Sequence, residues 1–99
     1  MIQLSFEFRL KTGFFETKLF ALLIRKAKLV LSPTESAEQT ITVAEKDIRG
    51  ITLKNKKSLE IEIQTEDMIY QGVFSNKADF KKILEQLKEN LDVKIECEF

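Results

Sequence analysis

Between positions 2 and 11 apolar and polar residues alternate without a break: Ile2, Leu4, Phe6, Phe8 and Leu10 stand against Gln3, Ser5, Glu7, Arg9 and Lys11. A period of two puts successive side chains on opposite faces of an extended backbone, so this segment predicts a strand with one face buried. The pattern returns where Leu59, Ile61 and Ile63 alternate with Glu60, Glu62 and Gln64, and again where Val93, Ile95, Cys97 and Phe99 alternate with Lys94, Glu96 and Glu98. A chain patterned this way at its start, middle and end must be built around a sheet. By the same parity Cys97 is expected as a small buried apolar residue.

The segment 14–31, FFETKLFALLIRKAKLVL, is less simple. As strands it would run over about 15–24 and 27–31, with Arg25 and Lys26 turning the chain. As a helix, Phe15, Leu19, Leu22 and Leu23 fall roughly on one face, and leucine, alanine and lysine favour that state. Against the helix, the apolar residues of 19–24 would wrap its whole circumference. A strand buried on one face and crowded on the other accepts such a run, which inclines the reading to two strands.

The polar stretch 32–39 holds the only proline and marks a loop. After it, Ile41 and Val43 alternate with threonines, AEKD interrupts, and Ile48, Ile51 and Leu53 follow. One uninterrupted strand would put Ile48 on the wrong face. A turn or bulge between Glu45 and Gly50 restores the parity, and Gly50 supplies backbone freedom there. Polar turns are expected at 55–58 and 65–67, with a further strand at 68–74. The segment 75–91 is the one clear helix, with a stripe of Phe80, Ile83, Leu84, Leu87 and Leu91. Ser75 or Asn76 is the expected cap, and Asp79 would sit in the first turn, where the helix dipole favours an anion.

These elements predict a mostly β, α+β fold: seven antiparallel strands forming a barrel or sandwich, capped by an amphipathic helix, with room for a terminal strand. At 99 residues and 43% hydrophobic content the chain suits one domain, 1–99, with one core. Sixteen basic residues balance sixteen acidic ones, which disfavours nucleic acid as a partner. A lone cysteine closes no intramolecular disulfide, the N-terminal segment lacks the unbroken apolar stretch of a signal peptide, and the longest apolar run, 19–24, falls far short of the ~18 residues of a membrane span. A cytoplasmic location is expected.

The order of seven strands and a C-terminal helix resembles the pleckstrin-homology (PH) superfold, particularly the small prokaryotic PH-like and GRAM-like domains. ITVAEKDIRGITL resembles the segment that in those domains leads into the fifth strand, and KAKLVLSP resembles the strand and turn before it. The resemblance covers residues 6–91 and rests on patterns of apolarity. The strand after the helix departs from the standard PH arrangement. Some members bind inositol phosphates through basic residues flanking the first hairpin. Arg9, Lys11 and Lys18 lie at matching places, but Phe20 replaces the basic residue expected two positions after Lys18, and Glu16 adds a negative charge to the loop.

Catalytic parts are scarce. The chain has no histidine, no nucleophile elbow, no phosphate-binding loop and no C-x-x-C pair, so no enzymatic activity, cofactor or metal is expected. Glu60 with Glu62, and Glu96 with Glu98, could in principle hold a cation, but alternating strands ordinarily present such carboxylates to solvent. Lys54, Lys56, Lys57, Lys81 and Lys82 read as solubilising charges. The expectation is a non-catalytic interaction module that binds a protein partner or a second copy of itself. The alternative is weak binding of anionic lipid headgroups at a membrane surface, through Arg9, Lys11 and Lys18.

Overall fold

The computed structural model describes residues 5–13, 16–35, 39–75 and 78–99. Ile2, Leu4, Phe14, Phe15 and Asn76, which figure in the sequence reading, lie outside the described residues. Eight strands form a single sheet: β1 (Ser5–Lys11), β2 (Thr17–Arg25), β3 (Lys28–Pro33), β4 (Ile41–Ala44), β5 (Ile48–Asn55), β6 (Leu59–Thr65), β7 (Ile69–Phe74) and β8 (Ile95–Glu98). One helix, α1 (Phe80–Asn90), separates β7 from β8. The strand order is β4-β3-β2-β1-β7-β6-β5-β8. Two antiparallel meanders, β1 to β4 and β5 to β7, are joined where β1 pairs with β7 over Phe8–Leu10 and Gly72–Phe74.

The ambiguous segment 14–31 resolves into strands among its described residues. Its even positions, Phe20, Leu22 and Ile24, are buried, and its odd positions, Leu19, Ala21 and Leu23, are half-buried on the other face. The turn between β2 and β3 is only two residues long, Lys26 and Ala27, with Ala27 in the left-handed region at φ 61°. Its N–H donates to the Asn90 carbonyl at the end of α1 (2.8 Å), and its carbonyl accepts from Glu45 N–H (3.0 Å).

The interruption at AEKD is a single 3-10 turn, Glu45–Asp47, followed at once by a bulge in β5. Ile48 pairs with Thr65 and Gly50 with Gln64, so Arg49 is the extra residue. The turn and bulge together bury Ile48 while returning Ile51 and Leu53 to the inner face. A turn or a bulge would have satisfied the sequence pattern; the fold uses both.

The core gathers the inner-face residues of all seven N-terminal strands, from Phe8, Phe20, Leu22 and Leu31 to Ile51, Leu53, Ile61, Ile63 and Phe74, beneath Ile83, Leu87 and Leu91 of the helix segment. Gly72 lies within it. A Cβ at that position would overlap the buried Phe8 ring, which stacks on Phe74 at 5.5 Å, so a glycine here lets an aromatic ring lie flat on the β7 backbone.

Three expectations need correction. The sheet does not close into a barrel; it ends at β4 on one side and β8 on the other. The seven expected strands pair antiparallel throughout, and the terminal strand is present as β8, which adds to β5 in parallel, pairing Ile51 with Ile95 and Leu53 with Cys97. A helix between the two strands reverses the chain direction, which makes parallel pairing available. Asp79 caps α1 in place of Ser75 or Asn76: its carboxylate accepts from the N–H groups of Lys81 (3.0 Å) and Lys82 (3.3 Å), and the first helical residue is Phe80. Cys97 is exposed, because β8 is an edge strand of four residues that the helix does not cover. Its apolar alternation is real, but beyond the half-buried Ile95 it meets no core.

Candidate functional site

Cross-strand register places each of the basic residues flanking the first hairpin. Arg9 lies opposite Leu19 and Lys11 opposite Thr17, on the outer face of the sheet. Lys18 lies opposite Leu10, on the face that carries the core, and its ammonium group is 3.9 Å from the Glu16 carboxylate. Directly opposed residues of an antiparallel pair point to the same side. The sheet therefore brings Arg9 and Lys11 together and sends Lys18 to the opposite face. Odd and even numbering in the sequence already held this separation.

The outer face continues across the seam. Arg9 opposes Val73 on β7, Val73 opposes Glu60 on β6, and Glu60 opposes Lys54 on β5. The neighbouring row runs from Glu62 on β6 to Gln71 on β7, with Lys11 at the end of β1 beyond the last β1–β7 pair. Around these rows lies an open cleft of about 340 Å³, bounded by Arg9, Lys11, Glu16, Lys54, Glu60, Glu62 and the β7 segment Gln71 to Val73. The volume is within the range of small-ligand sites, roughly 300–1,000 Å³. A second depression of about 400 Å³ adjoins it, sharing Arg9 and Val73.

Charge within the cleft is divided by strand. Arg9 and Lys11 come from β1 and Glu60 and Glu62 from β6, with Val73, 40% exposed, between them; Glu16, just before β2, adds a carboxylate on the β1 side and Lys54 on β5 a cation on the β6 side. Lys54 is held by Glu62 at 3.3 Å, both side chains being largely covered. Among the described residues, Arg9, Lys11 and Glu60 have no ion-pair partner. The sequence reading weighs Glu60 only as half of a carboxylate pair with Glu62, takes Lys54 as a solubilising charge and does not single out Val73. Lys54 and Glu60 had ordinary solvent-face signals, and only the long-range pairing of β1 with β7 sets them beside Arg9.

Three of the four carboxylates considered as cation sites have lysine partners instead. Glu62 meets Lys54, Glu96 meets Lys94 at 3.2 Å, and Glu98 meets Lys56 at 3.9 Å. Among the described residues no group of three or more histidine, cysteine, aspartate or glutamate side chains is placed to hold a metal ion. The described helix is not long and apolar enough to cross a membrane.

At the far end of the sheet, β8 leaves a free edge. Ile51 N–H donates to the Lys94 carbonyl at 2.9 Å, and in a parallel ladder the groups facing the partner strand come from alternate residues. Lys94 and Glu96 thus direct their backbone groups at β5, while Ile95 and Cys97 direct theirs outward. Next to this edge Phe99 is 79% exposed and meets Phe80 edge to face at 5.6 Å.

No protein-family model matches the chain, and no curated protein matches it either. Among solved structures the chain is similar to one described as the structure of the Spt16D Pob3N heterodimer, with a TM-score of 0.69 and 16% sequence identity. The match covers 98% of this chain and 54% of that one, so the chain spans about half the length of its structural neighbour. The likeness is one of fold: a mostly β, PH-like α+β architecture with one C-terminal helix, its sheet left open.

Proposed function

We propose that residues 1–99 act as one PH-like domain of the GRAM-like, prokaryotic kind, a non-catalytic cytoplasmic interaction module whose open β8 edge accepts a strand from a protein partner or from a second copy. The observation that carries this reading is the outward direction of the Ile95 and Cys97 backbone groups on an uncovered edge strand. Such an edge offers hydrogen bonds along the main chain, and side chains on alternate positions supply selectivity. The structural neighbour's description as a heterodimer supports a protein partner in general terms.

Ile95→Pro tests the reading. Its N–H faces away from β5, so proline there removes a donor for an incoming strand while leaving the β5–β8 ladder intact. Sedimentation of the unmodified protein over a wide concentration range is expected to show association that this variant weakens. A strict monomer at high concentration, with no change in the variant, argues against a self-pairing edge.

Arg9 and Lys11 sharing one face supports a second reading, weak binding of anionic headgroups, in which Lys18 would contribute only by reaching around the sheet end. Retention by vesicles containing anionic lipid at low salt, lost when Arg9, Lys11 and Lys18 are all changed to glutamine, would favour it, since each basic residue near such a surface contributes ~1 kcal/mol.

A further inference from the structure

We propose that the outer-face cleft between β1 and β6 binds a zwitterion: a carboxylate and an ammonium group joined by a short alkyl chain, the chemistry of a lysine at a peptide C-terminus. This site lies on the face of the sheet and does not depend on pairing at the β8 edge. The argument starts from the transverse row Arg9, Val73, Glu60, whose members are fixed by register on three adjacent strands. Arg9 and Glu60 stand two strand spacings apart, about 10 Å at the backbone. The structure does not pair them with each other or with any other charge: among the described residues neither Arg9 nor Glu60 has an ion-pair partner. A ligand that places an anion against Arg9 and Lys11 and a cation against Glu60 would complete both.

Val73 is the second element of the fit. It is 40% exposed at the floor of the cleft, where an aliphatic spacer between the two charged ends would cover it. A simple anion would leave Glu60 and Val73 uncovered, and a simple cation would leave Arg9 and Lys11. Lys54 does not occupy the cation position, because Glu62 holds its ammonium group at 3.3 Å. Arg9 can grip a carboxylate through two parallel N–H donors, with Lys11 adding a point charge beside it.

The test is a titration of the full chain with 6-aminohexanoate, followed by amide chemical shifts, in parallel with hexanoate and with 1-aminohexane. The expected result is binding of the zwitterion at least ten-fold tighter than either single-charge compound, with shifts centred on Gln71, Gly72 and Val73. Glu60→Gln should reduce 6-aminohexanoate to the affinity of hexanoate, and Arg9→Gln with Lys11→Gln should reduce it to that of 1-aminohexane. These are surface substitutions, and unchanged circular dichroism confirms that each variant is folded. To separate the sources of the ligand, a peptide ending in lysine is compared with its C-terminal amide and with free lysine. A peptide terminus gives tight binding only of the free-acid peptide, whereas a free amino acid site favours lysine itself. Equal affinity for hexanoate and 6-aminohexanoate, no shifts in the cleft, or binding that survives Glu60→Gln would overturn the proposal.

Discussion

The Glu45 carboxylate accepts a hydrogen bond from the backbone N–H of Asp92 at 2.7 Å, joining two positions 47 residues apart in the chain. Glu45 belongs to the 3-10 turn that interrupts the strand pattern, and Asp92 follows the last turn of α1. Ala27 completes the junction by bonding to both segments, through Asn90 on one side and Glu45 on the other. The charged interruption thus fastens the exit of the helix and the tip of the β2–β3 hairpin in one place. Glu45→Ala should lower stability by about 1 kcal/mol, the net value of one partly solvated hydrogen bond. Denaturant unfolding measures this; Glu45→Gln, which keeps an acceptor, should lose less, and equal losses would rule out the carboxylate as the tie.

At Ala27 the backbone carries a conformation that a Cβ disfavours. Ala27→Gly should raise stability by roughly 0.5–1 kcal/mol by removing that steric cost, partly offset by the greater freedom of glycine in the unfolded chain. Ala27→Val should lower it. Thermal melts of the pair decide the sign, and a destabilising glycine would mean that the tight turn tolerates alanine without strain.

Gly72 and Phe8 form a pair whose volumes are matched across the seam. Gly72→Ala should cost about 1–3 kcal/mol, the range for overpacking a core. Combining it with Phe8→Leu should recover part of that loss, since the smaller side chain leaves room for the added methyl. Simple additivity in the double-mutant cycle would refute direct contact.

Leu87 is fully buried at the centre of the helix stripe, with Ile83 and Leu91 one turn away on either side. Leu87→Ala should cost ~2–5 kcal/mol. At the start of the same helix, Asp79→Ala should cost about 1 kcal/mol through the loss of its cap. Chemical denaturation separates the two, and a Leu87→Ala loss below that of Asp79→Ala would mean that the helix contributes little to the core.

How much of this was legible in the sequence depended on whether a signal was local. Strand alternation at Phe6, Phe8 and Leu10 and the apolar stripe from Phe80 to Leu91 needed only neighbours along the chain; the strand forms where the pattern placed it, and the helix forms along the stripe but begins at Phe80, five residues after the expected start. The parity break before Ile48 was equally local and foretold a disruption, although it could not distinguish a turn from a bulge. Strand pairing between distant segments was invisible. Nothing in ECEF says that its partner is β5 or that the pairing is parallel, and without that knowledge Cys97 could not be seen as an edge residue. The cleft failed for the same reason. Arg9 was noticed, but Glu60 becomes its neighbour only once β7 lies between them.

The short pairing of β1 with β7 has a consequence for how the molecule opens. Each meander is held internally by ladders between sequence neighbours, whereas along the sheet the two pair over the three-residue match of Phe8–Leu10 with Gly72–Phe74, extended by Ser75 N–H donating to the Glu7 carbonyl at 3.3 Å and pinned by the Phe8–Phe74 stack. Cooperative units tend to follow such divisions. Amide hydrogen exchange should therefore report two protected blocks separated by a faster line at Arg9 and Val73, and conditions that part this line without melting either block would let one meander reclose on its counterpart from another molecule, the route to an exchanged dimer.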